Sequence, residues 1–184
     1  MDSVKTLYNH KVLRVIIITI IGSLLLTLSA KIKIPFYPVP MTMQTFVVIL
    51  LGITLGYKLA LATVGLYLIE GILGLPVFSN SPEKGIGFVY FIGPTMGYLI
   101  GFLFTTFLSG YLNLKTNFLM VFIKLTFAVS FIYLFGLIWL GTLIGWDKPI
   151  FELGALPFLY AEMFKILLIS LLAKKILKLS LIHI

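Results

Sequence analysis

The chain has 184 residues, 60% of them hydrophobic and only 11% charged, with a mean hydropathy of +1.15 and a formal net charge of +8. A soluble domain this apolar lacks the polar surface to cover its own core, whereas a bilayer supplies apolar solvent. At about 20 residues per crossing of roughly 30 Å of hydrocarbon, the length fits about six transmembrane helices and leaves no room for a separate soluble domain.

The absence of cysteine excludes disulfides, thiolate nucleophiles and cysteine metal sites. The two histidines, His10 and His183, stand near the chain ends, so no histidine metal site is expected among the spans. The positive charge reads as cationic flanks of membrane spans rather than as a nucleic-acid surface. The expected fold is all-α: one domain over 1–184, an integral membrane bundle of six transmembrane helices.

The first span is expected over 12–30. Its basic start and small residues also suit a signal peptide, but five more spans follow, so cleavage is not expected. Residues 31–43 carry Pro35, Pro38 and Pro40, which rule out regular helix and give a rigid apolar loop suited to a lid. Spans over 44–56 and 58–78 form a helical hairpin about a tight break at Gly56-Tyr57. A polar loop over 79–87 leads to spans expected over 90–112, 117–145 and 155–173. In the fourth span, Gly93, Gly97 and Gly101 form a small-residue ridge for a neighbouring helix or for a ligand approached by backbone. No phosphate-binding GxxxxGK[ST] motif occurs, so ATP binding by this chain alone is not expected.

With the N-terminus inside, Lys5, Lys11, Arg14, Lys58, Lys115, Lys174, Lys175 and Lys178 fall inside, and Lys31, Lys33, Lys84 and Lys148 outside. This bias puts both termini in the cytoplasm and the longer, Pro/Gly-rich loops on the outer face.

Polar groups inside spans carry the functional information, because charge at membrane depth faces a cavity or a partner. Glu162 and Lys165 are three apart on one helical face, an acceptor and a donor that suit a ligand with N–H groups and a carbonyl, or else an internal ion pair. Glu70 stands near the outer loop or pairs with Lys124, which itself is placed to snorkel. Thr42, Gln44 and Thr45 follow the proline loop, where they cap a helix or reach into a cavity. Asn80 serves a turn or a site at the outer end of the third span. Tyr67, Phe78, Tyr90 and Tyr98 supply an aromatic wall for a flat ligand, or populate the membrane interface without binding anything. No nucleophile–base set or close carboxylate pair emerges, so an enzyme is not expected.

Four stretches taken together, IPFYPVPMTMQTFVVILLGITLG, YLIEGILGLPVF, GPTMGYLIGF and PFLYAEMFK, resemble the BioY family, the biotin-binding S components of energy-coupling factor (ECF) vitamin transporters. The resemblance runs from about residue 12 to 178. It implies biotin as ligand, bound near the outer face of the cytoplasmic membrane under the first and third loops, with no cofactor. It also implies a transmembrane T component and two cytoplasmic ATPases as partners, although some members act without a dedicated set. By motif, the family's polar contacts fall on Gln44, Asn80, Tyr98, Glu162 and Lys165; Phe78 and Tyr67 complete the candidate site from the aromatic wall. The chain departs from the family pattern at Ala161-Glu162, where Gly-Asp is usual, at Met96, and at Leu26 between the small residues Gly22 and Ala30. An S component for another vitamin is the alternative, and a membrane enzyme or assembly factor a more distant one.

Overall fold

Residues 2–178 are described in a computed structural model, with side chains from Lys11 onward; His183 and the side chains of Lys5 and His10 lie outside the described residues. Helix α1 (Asp2–Lys31) leads into a hairpin of β1 (Lys33–Ile34) and β2 (Met41–Thr42). Helix α2 (Gln44–Ile72), a short α3 (Gly87–Phe91), α4 (Met96–Tyr111) and α5 (Phe118–Ile144) follow. A short α6 (Ile150–Gly154) and a 3₁₀ turn at Leu156–Phe158 precede α7 (Leu159–Lys178). Four stretches are long and apolar enough to cross a membrane: Lys11–Lys31, Gln44–Ile72, Phe118–Ile144 and Ile150–Lys178; Met96–Tyr111 is a shorter apolar helix. The chain is thus mostly helical, in keeping with the expected helical bundle, and one short two-stranded hairpin joins α1 to α2.

The outward faces are as apolar as the inward ones. On α1, Gly22, Ser23, Leu26, Ser29 and Ala30 are buried at helical spacing, whereas Leu24, Leu25 and Leu28 point away from the bundle. That pattern suits a helix packed on protein along one stripe and on lipid elsewhere. Hydroxyls are satisfied locally: Thr19, Thr63 and Ser170 donate to carbonyls four residues back, at 2.7–2.9 Å.

Helix α2 consists of two helical arms joined across a kink. Gly56 has φ 71° and ψ 162°, outside the helical region and open only to glycine. The Gln44 side chain nevertheless reaches the Tyr67 hydroxyl at 2.8 Å. In a straight helix those residues would stand about 34 Å apart, so the two arms, 44–55 and 57–72, fold back on each other about Gly56. Both arms lie against α4, where Gly52 meets Ser109 and Gly110 meets the Tyr57 backbone too closely for any methyl group.

Three expected span limits shift for local reasons. The third, expected to reach residue 78, ends at Ile72: Gly74 has φ 102° and donates to the Gly71 carbonyl, while the Leu75 N–H donates to that of Glu70, a Schellman stop. The fourth, expected over 90–112, is interrupted by Pro94, which lacks an N–H; α3 ends before it and α4 begins after it. The sixth, expected over 155–173, opens as a 3₁₀ turn containing Pro157 and runs on to Lys178. The glycine ridge packs α4 on α5: a methyl on Gly97 would overlap the Phe135 carbonyl, and one on Gly101 the Ile132 backbone. Gly93 lies before the helix, and its carbonyl accepts from the Trp139 indole at 2.8 Å.

The proline loop is the hairpin. Lys33 pairs with Thr42 and Ile34 with Met41. Beyond these pairs, prolines lacking N–H groups end the ladder. Pro38, Val39 and Pro40 turn inward and are buried, while Tyr37 stands 84% exposed at the tip.

Candidate functional site

A cavity lies under the hairpin, with about 550 Å³ of empty space when the open solvent at its mouth is included. Val39, Pro40, Met41 and Thr42 roof it; Gln44 and Thr45 enter from the start of α2, Phe78 and Ser79 from the following loop, and Glu162 from α7.

The polar corner of this cavity is built on α7, whose first turns carry Glu162 and Lys165 on one face. Lys165 Nζ donates to Glu162 Oε1 at 2.7 Å and to the Thr42 carbonyl at 2.6 Å. Thr45 Oγ1 donates to the same carboxylate oxygen at 3.2 Å. The two charged side chains are 6% and 8% exposed, so the pair is shielded from water and internally neutral. The Tyr133 hydroxyl lies within hydrogen-bonding reach of this carboxylate, although Glu162 Oε2 has no partner of regular geometry among the described residues. Glu162 lines the cavity, so its carboxylate is open to a better-aligned donor from a ligand. Lys165 has three N–H donors, of which two are engaged. This corner therefore presents an acceptor to the cavity, with Lys165 behind it and lining a separate apolar pocket with Ile32, Phe46 and Phe164.

The side wall is fixed by a relay. Gln44 Nε2 donates to the Tyr67 hydroxyl at 2.8 Å, and that hydroxyl donates to the Val77 carbonyl at 3.3 Å. Thr42 Oγ1 donates to Gln44 Oε1 at 3.2 Å. Phe78 stacks on Tyr90 with centroids 5.1 Å apart and meets Tyr67 edge-on at 5.4 Å, an arrangement worth about 0.5–1.5 kcal/mol per pair beyond burial. Opposite, the Tyr98 hydroxyl donates to the Gly154 carbonyl at 2.8 Å, its ring seated against Gly136.

Of the residues predicted from sequence, Gln44, Phe78, Tyr98 and Glu162 line this one cavity. Tyr67 and Lys165 stand behind them as hydrogen-bond partners. Asn80 faces a smaller adjoining pocket with Pro38, Lys84, Tyr90, Pro94 and Thr95, and its Oδ1 accepts from Lys33 at 2.9 Å. Sequence reasoning missed Tyr133 and Phe158, which also line the cavity. Tyr133 lies within a continuous apolar run that reads as lipid-facing, whereas Phe158 stands in the PFLYAEMFK motif and could have been flagged. The suggested Glu70–Lys124 pair is corrected: Ser23 Oγ donates to Glu70 Oε2, and Lys124 donates to the Asn113 carbonyl at 2.6 Å. The small residues of α1 also face inward: Gly22 packs against Thr63 and Leu51, and Ala30 is fully buried.

The BioY family model matches residues 3–181. The chain belongs to the BioY family. A probable biotin transporter BioY from Pyrococcus horikoshii is 36% identical over 152 residues, 83% of this chain and 89% of that protein. The biotin transporter BioY of Thermotoga maritima is 34% identical over 157 residues, 85% of this chain and 91% of its own length. A crystal structure of the S component for biotin from an ECF-type ABC transporter superposes with a TM-score of 0.76 at 26% identity, covering 92% of this chain and 94% of that one. A BioY-family chain with several long apolar helices is a multi-pass membrane protein.

Proposed function

We propose that this chain captures biotin at the outer face of the cytoplasmic membrane and carries its uptake. It does so either as the substrate-binding component of an ECF transporter, beside a T component and two ATPases, or alone. The observation that carries the reading is the water-shielded Glu162–Lys165 pair beside an apolar, aromatic cavity, with Glu162 Oε2 lacking a hydrogen-bond partner of regular geometry. The ureido head of biotin has two N–H donors and one carbonyl. Glu162 accepts from one of the donors and Lys165 donates to the carbonyl. Phe78, Tyr90 and Tyr98 flank the fused rings, and Gln44 fixes the wall through Tyr67. The family membership and the named biotin transporters at 34–36% identity support the same ligand.

In this reading the two arms of α2 count as separate crossings and, with α1, α4, α5 and α7, give six. Both termini are cytoplasmic, on eight cationic residues inside against four outside. A second reading, an S component for another vitamin, is favoured by Glu162, which carries its carboxylate one methylene further than the aspartate usual in the family. Equilibrium binding of labelled biotin to detergent-purified protein tests the first reading. Saturable binding that unlabelled biotin displaces and other vitamins do not is the expected result. Displacement by another vitamin alone would support the second.

A further inference from the structure

The outer mouth holds three lysines, and two of them are spent on the fold. Lys31 Nζ donates to the Phe78 and Ser81 carbonyls at 2.8 Å each. Lys33 Nζ donates to the Ser79 carbonyl at 3.1 Å, to Asn80 Oδ1 at 2.9 Å and to Glu83 Oε2 at 3.3 Å. Lys84 differs. Its ammonium lies 5.6 Å from the centroid of the Tyr37 ring, and it makes no ion pair among the described residues. It lines the small pocket with Asn80 and Thr95. That pocket shares Tyr90 and Thr95 with the main cavity, so the two adjoin. The other lysine at the site, Lys165, is neutralised by Glu162. A ligand whose uncharged head occupies the Glu162 corner and whose chain runs past Tyr90 and Thr95 therefore meets one uncommitted positive charge, at the mouth.

We propose that Lys84 receives the carboxylate of the ligand, with the Asn80 side chain and the Thr95 hydroxyl beside it, and so selects acids over neutral analogues. This deepens the biotin reading and rests on it, since biotin ends in a carboxylate on a flexible chain. An anion held there also draws Lys84 between the ligand and Tyr37, at the tip of the hairpin roof.

The test compares binding of biotin and of its neutral carboxamide to purified wild type, Lys84→Met and Lys84→Arg. Lys84 is exposed, so the charge acts through partly screened solvent. Wild type should prefer the acid by about three- to fivefold, with the preference falling as salt is raised. Lys84→Met should bind acid and amide alike, and Lys84→Arg should keep the preference. An unchanged acid-to-amide ratio in Lys84→Met, or no preference in wild type, overturns the assignment of Lys84 and leaves biotin binding intact. Failure of wild type to bind either compound removes the biotin reading and this inference with it.

Discussion

The molecule contains the same ion pair twice, in opposite settings. At the inner corner, Lys165 and Glu162 are 2.7 Å apart with side chains 6% and 8% exposed. At the outer rim, Lys33 and Glu83 are 3.3 Å apart, and the glutamate is 74% exposed. The chemistry is identical, and water makes the difference. At the rim, solvent screens the attraction to roughly 0–1 kcal/mol. At the corner, each charge was stripped of water and leans on its partner, on Thr45 and on the Thr42 carbonyl. Breaking one member there leaves the other buried and uncompensated. The outer pair joins two loops; in the proposed reading, the inner pair is where binding energy is available.

This contrast ranks the expected effects. Glu162→Gln and Lys165→Met each remove a charge-assisted hydrogen bond worth about 1.5–3 kcal/mol, and each should weaken biotin binding about ten- to a hundredfold. Glu162→Asp should be milder. If both single changes lower the melting temperature of ligand-free protein while affinity stays within about twofold, or 0.4 kcal/mol, the pair supports α7 only and the contrast collapses. Thr45→Val should come next. It removes one neutral donor of about 1 kcal/mol and should weaken biotin about fivefold by isothermal titration, with Thr45→Ser restoring it.

The rim should respond in mobility more than in affinity. Val39 is 5% exposed beneath the hairpin. A cysteine at that position should be labelled slowly by an external thiol reagent, more slowly still with biotin bound, and faster in a Lys33→Met background. Equal labelling in all three conditions would show that the hairpin is no lid. Glu83→Gln should be the smallest change, shifting affinity by less than about twofold.

Much of this was readable in the sequence because the governing signals are local. Apolar runs of helix length marked the membrane helices, and the spacing of Glu162 and Lys165 put them on one face before any coordinates. The three prolines of 31–43 excluded helix, but they did not reveal that two residue pairs would zip the loop into a hairpin. Register across a loop is a long-range property. Glu70 illustrates the same limit: its partner is Ser23, 47 residues away on another helix, and a serine offers no charge to suggest the pairing. Tyr133 was invisible because lipid-facing and cavity-facing aromatics look alike within an apolar span. Pro94 could have been read more fully, since a proline inside a supposed span argues for a break there.

Gly56 sits 12 residues after Gln44 and 11 before Tyr67, and those two side chains close the loop with a single hydrogen bond of 2.8 Å. The fold-back thus works as a ruler. Each residue advances a helix by about 1.5 Å and turns it by about 100°. Adding or deleting one residue in either arm would swing Gln44 away from Tyr67 and carry Thr45 off Glu162. It would also drag β2 with it, because Met41–Thr42 joins the arm one residue earlier. Roof and side wall of the cavity share one length standard, so α2 should tolerate many substitutions but very few changes in length. A scan of single-residue insertions between 46 and 66, read out by biotin binding, would show this intolerance on both sides of Gly56.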